Sequence, residues 1–451
     1  MISKKYARAN NKYIDGYDDA KQNSYNNLYG WAMSQPLPTG LMCWLDEDET
    51  KSFNLQNISP DADKGYMLEV DLEYPHDLHD LHNSYPLAPS SYSKFLYRDL
   101  YGEHRKRPNT TKLIPTLENK KNYITHYRNL QLYTNLGMKI TKVHRILEFH
   151  QSPWLATYIQ FNTSRRQEAR NDFEKNFFKL MCNSVFGKTM ENLRNRVNIK
   201  LVNNESSLKK CVSRPSFERF QIFNEDLVGV ENKHINLLLN KPVYVGSVIL
   251  ELSKIIMYDF HYNVMQEKYG GNLNLLFTDT DSLCYEIYTD DVYDDMNSFL
   301  NYFDTSNYQP SDQLHSTIYK RVPGKMKDEM AGVPIKEFIG LRPKMYSLIY
   351  DIKNGGELLE KEKRTAKGVA KCAIDKQIRH IHYKQCLVDN KMTINDMDLI
   401  RSENHTLYIN NVRKVGLCNF DDKRFWKNSI NSYSYGHFRI PNVNKCCSIY
   451  C

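Results

Sequence analysis

The stretch Leu273 to Ile287, LNLLFTDTDSLCYEI, constrains this chain more than any other. The apolar run Leu275, Leu276, Phe277 has the composition of a buried strand, and Leu283 to Ile287 alternates again, so Thr278 to Ser282 reads as the tip of a hairpin. Asp279 and Asp281 sit at that tip. Residues two apart in an extended backbone share a face, which lets the two carboxylates point the same way and repel one another unless a cation lies between them. Hard oxygen ligands on a strand turn suit Mg²⁺ held together with substrate phosphates. Taken alone, D-T-D-S is more simply an ordinary turn, because Asp and Ser bond their own backbone there. A second stretch changes that balance.

With 451 residues, 41% of them hydrophobic, the chain is long enough for two or three domains with substantial cores. Lys and Arg total 61 against 53 Asp and Glu, a formal charge of +8 that suits an anionic partner without requiring one. The 32 tyrosines offer stacking faces with polar tips, as a wet nucleic-acid channel would use, and a Tyr-rich core explains them equally well. The ten cysteines are scattered without C-x-x-C pairs and read as reduced intracellular thiols. Cys446, Cys447 and Cys451 cluster in the tail, where a frayed end is a plainer account than a lipidated or metal-binding one. MISKKYARANN lacks an apolar signal core and no window has the length of a membrane span, so a soluble protein of the nucleus or cytoplasm, with no membrane partner, is expected.

Along the chain, residues 1–40 are Asn- and Tyr-rich and lead through NNLYGWAMSQPLPTG into a Pro-broken loop. GYMLEVDLEY alternates as a strand, and the following His76, His79 and His82, separated by Leu and flanked by Pro75 and Pro86, fit a structured surface loop better than a metal site. Lys121 to His150 reads as a helix, a stop at Gly137 and a strand, with a cationic face. Phe161 to Leu193 is expected as a long helical stretch capped by Thr163, with Ala169, Phe173, Phe177, Leu180 and Met181 at helical spacing. Lys175 and Lys179, four apart, share a face, and the helix is expected to loosen at Asn183 to Gly187. Val197 to Val245 reads as short strands, Gly246 to Gln266 as an apolar helix packed on the hairpin, and Tyr288 to Ser316 as acidic loop.

Lys179-x-x-x-Asn183-Ser184-x-Phe186-Gly187, followed by Phe277-x-Asp279-Thr280-Asp281-Ser282, resembles the paired signatures K-x-x-x-N-S-x-Y-G and Y-x-D-T-D-S of family B DNA polymerases. Lys344-Met345-Tyr346, with Lys367-Gly368 beyond, is similar to the K-x-Y element and the basic element after it. Three ordered matches make the signal strong, and the long intervening segments resemble the protein-primed branch of viruses, linear plasmids and virus-like DNA transposons. NNLYGWAMSQPLPTG, EVDLEYP, SPWL and NKPVYVG add to the likeness, which runs from Asn10 onward.

The resemblance implies an α+β polymerase right hand: a palm with an antiparallel sheet, helical fingers and a mixed thumb. Residues 1–40 would be a remnant of the first palm motif, 41–160 an insertion, 161–196 the fingers helices, 197–310 the palm with the catalytic hairpin, and 311–451 the thumb and tail. It also implies DNA-directed nucleotidyl transfer to a primer end with two Mg²⁺ ions, held by Asp281 as principal ligand and Asp279 as its weaker partner. Lys179 and Lys175 would reach the incoming dNTP, and Asn183, Ser184, Phe186 and Gly187 would form the surface for the nascent base pair. Tyr29 would lie under the sugar and exclude a 2′-hydroxyl. Lys344, Tyr346 and Lys367 would contact primer-template DNA, and a terminal priming protein is a further expected partner.

Two departures accompany the likeness. The proofreading exonuclease that usually precedes the first motif is expected to be absent. Counting back from Tyr29, the pattern D-x-x-S-L-Y asks for Asp where this chain has Ser24, as though the strand end and its metal-binding Asp had been removed; Asp18 and Asp19 are near in sequence and Asp71 in EVDLEYP is a carboxylate at a strand end, none of them in the matching place. A transposon-derived copy with impaired extension is therefore expected. The alternative is a non-catalytic protein that binds nucleic acid or nucleotide, since one carboxylate cannot replace two in a two-metal site. A metal-dependent hydrolase using the same two Asp residues leaves the lysine helix unexplained.

Overall fold

A computed structural model describes residues 13–92, 112–354, 357–403, 405–421, 423–427 and 431–441. The cysteines at 446, 447 and 451 lie outside the described residues.

The hairpin expected at Leu273 to Ile287 is present as strands Leu273–Asp279 and Ser282–Ile287. It forms one edge of the main antiparallel sheet, whose next strands are Tyr13–Tyr25, Ile335–Arg342, Met345–Asn354 and Glu357–Ala366. Period-2 alternation sends Leu275, Leu283, Tyr285 and Ile287 into a core with Met257 and Phe260. Leu276, Phe277 and Cys284 go to the opposite core, against Phe338, Tyr346 and Leu348. Leu276, Leu283, Phe338 and Leu348 are fully buried, and each such side chain contributes about 1.5–3 kcal/mol. The strands from Ile335 to Ala366 therefore share a sheet with the hairpin, and the expected division at 310/311 cuts across hydrogen-bonded strands.

The first strand is whole. It pairs with the hairpin from Ala20↔Glu286 to Ser24↔Ser282 and runs on to Tyr25, whose N–H donates to the Asp281 carbonyl at 2.8 Å. The strand end that was expected to be lost is present, with Ser24 in register opposite Ser282. After Tyr25 the chain turns through Asn27, which is left-handed and caps the helix Leu28–Met33 by accepting from the Gly30 N–H.

Residues 37–152 contribute a four-stranded sheet in the order Leu37–Trp44, Lys139–Ser152, Lys64–Glu73, Lys120–His126. Lys121 to His126, expected as helix, is strand because it pairs with Met67 to Val70, and the helix begins only at Tyr127 and ends at Asn135. Asp71 belongs to this sheet, where it accepts from the Asn122 N–H and meets His144 Nε2 at 2.8 Å. His79 and His82 are buried rather than on the surface: His82 Nδ1 meets the Tyr74 hydroxyl at 2.8 Å, and His79 Nδ1 accepts from the Phe438 N–H.

The apolar helix Val243–Asp259 continues into a π-helical turn, Phe260–Gln266, and is apolar around most of its girth because it joins three cores. Gly246 lets it approach Thr189 and Met190, which a Cβ would strike. Instead of one long helix from Phe161 there are two, Ala156–Glu168 and Asp172–Thr189, divided at Ala169 to Asn171. The start of the second is capped by Asn171, not Thr163, through a 2.9 Å bond from the Glu174 N–H. The expected loosening at Asn183 to Gly187 does not occur, and the helix runs unbroken to Thr189. Phe173, Phe177 and Leu180 are exposed on it. A three-stranded sheet, Asn198–Val202, Phe217–Asn224 and Leu227–Asn232, follows, with an unforeseen helix at Glu205–Val212. Among the described residues no helix is long and apolar enough to cross a membrane.

Candidate active site

The turn between the two hairpin strands is tight: the Asp281 N–H donates to the Asp279 carbonyl at 2.7 Å. Closing that ring places Thr280 at φ 59°, a left-handed conformation that a β-branched residue rarely adopts. Such a residue costs of order 1–3 kcal/mol, and backbone strain of this kind concentrates at functional sites. Burial pushes the Asp281 carboxyl above its ordinary pKa and the charge of Asp279 adds to this, while its own backbone N–H, Lys179 and Ser282 pull the other way. A carboxylate raised by burial and by a like charge is one that a cation would relieve.

Asp281 opens onto a cleft of about 540 Å³ lined also by Ser24, Tyr29, Arg166, Lys179, Asn183, Lys327, Glu329 and Lys363. The hairpin tip and the helix Asp172–Thr189 thus line one space, Lys179 and Asn183 coming from the same face of that helix. Tyr29, from the helix after the first strand, stacks on Phe186 with centroids 4.5 Å apart and planes at 21°. Burial, then the charge of Asp281, raises the Tyr29 hydroxyl and keeps it protonated.

The other expected residues divide. Lys175 pairs with Asp172 at 2.9 Å. Ser184 bonds back to the Met181 carbonyl, and Gly187 has open space where a Cβ would be. Lys344, left-handed at φ 61° in the turn between two sheet strands, reaches back to pair with Asp279. Tyr346 is buried, its ring stacked on Phe277 at 4.5 Å, and Lys367 is exposed with its N–H bonded to the Lys344 carbonyl. Asp71 is engaged in a different sheet, while Asp18 and Asp19 lie on the first strand at an irregularity in register between Asp15 and Ala20. At about 3.3 Å per residue they are roughly 17–20 Å of strand away from Ser24.

Gln22, Tyr25, Arg166, Lys327, Glu329 and Lys363 are the lining residues that no motif marked individually. Burial and the neighbouring Arg321 lower the pKa of Arg166. Lys363 donates to the Gln22 side chain at 3.1 Å. Among the described residues no three His, Cys, Asp or Glu side chains form a group able to hold a metal ion unaided. The carboxylates of the cleft are Asp281 and Glu329, among Arg166, Lys179, Lys327 and Lys363, while Asp279 is paired with Lys344.

The profile of the family described as "DNA polymerase type B, organellar and viral" matches residues 17–266, from the first strand to the end of the apolar helix. None of the curated proteins matches significantly in sequence. In three dimensions the chain is similar to Phi29 DNA polymerase complexed with primer-template DNA and incoming nucleotide, with a TM-score of 0.51 and 13% identity over 90% of this chain and 59% of that one. An orthorhombic crystal form of the same polymerase gives 0.51, 13%, 91% and 62%, and its complex with single-stranded DNA 0.50, 14%, 90% and 58%. The chain spans about three fifths of the length of these structures. The fold is of the polymerase right-hand type, mixed α and β with antiparallel sheets.

Proposed function

Since the chain belongs to the organellar and viral type B DNA polymerases, we propose that it is a DNA-directed DNA polymerase that transfers nucleotides to a primer end in the cleft of Asp281. The observation that carries this reading is the meeting, in one cleft, of the Asp281 tip with Lys179 and Asn183 of a helix about a hundred residues earlier. The helix faces the tip across the space that a triphosphate would occupy.

In this reading Asp281 and Asp279 would hold the divalent ions, which when bound would lower the charge on the attacking primer oxygen and the leaving pyrophosphate. Lys179 offers a point charge to the triphosphate, with Lys175 one turn away and Arg166, Lys327 and Lys363 around the rim. The Tyr29–Phe186 stack makes a flat, rigid floor for sugar and base, bordered by Asn183, with Ser184 and Gly187 further along the helix. Lys344, which pairs with Asp279, and Lys367, whose N–H bonds the Lys344 carbonyl, would bind the primer backbone. Tyr346 supports the hairpin from behind through Phe277. Protein priming and descent from a virus-like transposon extend the same reading on the strength of the sequence likeness.

A second reading, a binder of nucleic acid or nucleotide that does not extend primers, is favoured by one observation. Ser24, neutral, stands where the likeness asks for Asp. Extension of a labelled primer on a template with dNTP and Mg²⁺ separates the two. Extension that disappears in Asp281→Asn supports the polymerase, whereas tight DNA binding with no product supports the binder.

A further inference from the structure

We propose that Glu329 supplies the carboxylate that Ser24 leaves out, joining Asp281 in the cleft from the position just after a different strand. This rests on the polymerase reading of the cleft.

Ser24 lies between two partners on the sheet, opposite Ser282 of the hairpin on one side and opposite Lys327 of the short strand Met326–Asp328 on the other. That short strand ends beside the cleft, and the N–H of Glu329 donates to the Gln22 carbonyl at 3.0 Å. The bond fixes the Glu329 backbone against the first strand two residues from Ser24. From there the side chain reaches along the strand, and the Ser24 hydroxyl donates to Glu329 Oε1.

The chemistry of that contact is specific. A Ser hydroxyl oxygen occupies the position that the carboxyl carbon of an Asp would take, so an acceptor hydrogen-bonded to it lies beside and beyond the place of the missing Asp oxygens. Glu329 has the extra methylene needed to reach there from just after the next strand. It also lines the cleft together with Asp281 and Lys179. The adjacent Asp328 is not available for the role: it is buried, and accepts from the Tyr308 hydroxyl and from the N–H groups of Met330 and Gly332. The two neighbouring carboxylates are thus divided, one bracing a loop and one facing the cleft.

The test is uptake of Mn²⁺, read by its electron paramagnetic resonance signal, by the whole chain with primer-template DNA and a non-hydrolysable dNTP. Glu329→Gln keeps an acceptor for Ser24 and removes only the charge, so a merely structural Glu329 would leave uptake unchanged. The expected result is Mn²⁺ affinity weakened roughly tenfold or more, with DNA binding and melting temperature as in wild type, and recovery in the double variant Ser24→Asp/Glu329→Gln. Wild-type uptake in folded Glu329→Gln, or no recovery in the double variant, would overturn the proposal. Should Glu329→Gln melt early, Ser24→Asp alone decides: with Glu329 in place the added carboxylate strengthens uptake little, and a large gain would overturn the proposal. A wild-type chain that binds DNA but takes up no Mn²⁺ with nucleotide would instead refute the polymerase reading of the cleft, and this proposal with it.

Discussion

The ring of Tyr29, which lines the cleft, lies on that of Phe186, 4.5 Å away and tilted by 21°, so the helix after the first strand and the lysine helix meet through an aromatic stack. Such a pair contributes about 0.5–1.5 kcal/mol beyond its buried area. Replacing Tyr29 by Val should cost stability of that order and, if the ring bars a 2′-hydroxyl, should raise ribonucleotide incorporation about tenfold or more. The measurement is the ratio of rNTP to dNTP addition at a labelled primer end. An unchanged ratio in a folded Tyr29→Val chain would remove Tyr29 from sugar selection.

Asp281→Asn should abolish primer extension while leaving DNA binding intact. It should also raise the melting temperature of the metal-free chain at neutral pH. The sign follows from a folded-state pKa raised by burial and by Asp279. The ionised group is less welcome in the fold than in the unfolded chain, so its favourable contribution is present below the unfolded value and is lost as pH rises through the folded one. The gap between variant and wild type should therefore close on acidification into the ordinary carboxylate range, and thermal melts at pH 7 and near pH 4 would show it.

Lys344 pairs with Asp279 while both side chains remain partly exposed, 50% and 29%. Pairs of this kind contribute about 0–1 kcal/mol, so Lys344→Ala should barely alter stability. With Lys367→Ala it should weaken binding to all primer-template sequences alike and reduce the salt slope of binding by about two charges. Fluorescence anisotropy across a salt series measures this, and an unchanged slope would place the DNA elsewhere.

Leu276→Ala tests the support of the tip. The side chain is fully buried between the hairpin and Phe338, and truncation there costs about 2–5 kcal/mol. Loss of extension should follow the loss of folded protein in denaturant titrations. Extension that survives hairpin melting would detach the activity from this turn.

The hairpin was legible because its signals are local: period-2 apolar alternation, two Asp residues two apart, and turn-forming neighbours. The lysine helix was legible in its cleft-facing residues Lys179 and Asn183, since helical spacing alone puts them on one face. Its apolar pattern misled, because Phe173, Phe177 and Leu180 are exposed and the break at Ala169 to Asn171 depends on a cap. Lys121 to His126 read as helix and folded as strand, tertiary pairing with Met67 to Val70 prevailing over local pattern. The Ser24–Glu329 contact joins residues 305 apart, and no spacing rule spans such a distance.

The first strand carries a further consequence, in time. Its neighbours on the sheet are Ser282–Ile287, Met326–Asp328 and Ile335–Arg342, so no sheet partner for it exists until more than half of the chain has been made. At translation speeds of about 5–20 residues per second that is a wait of roughly ten seconds to a minute. Throughout it Tyr13–Tyr25 is an unpaired β-segment, open to pairing with another nascent chain. Synthesis of the protein should accordingly depend on a holding chaperone far more than its finished stability would require. In ribosome-arrest force measurements the pull of folding for this sheet should come only after Ile287 has emerged, and an earlier pull would mean that the strand first finds a different partner.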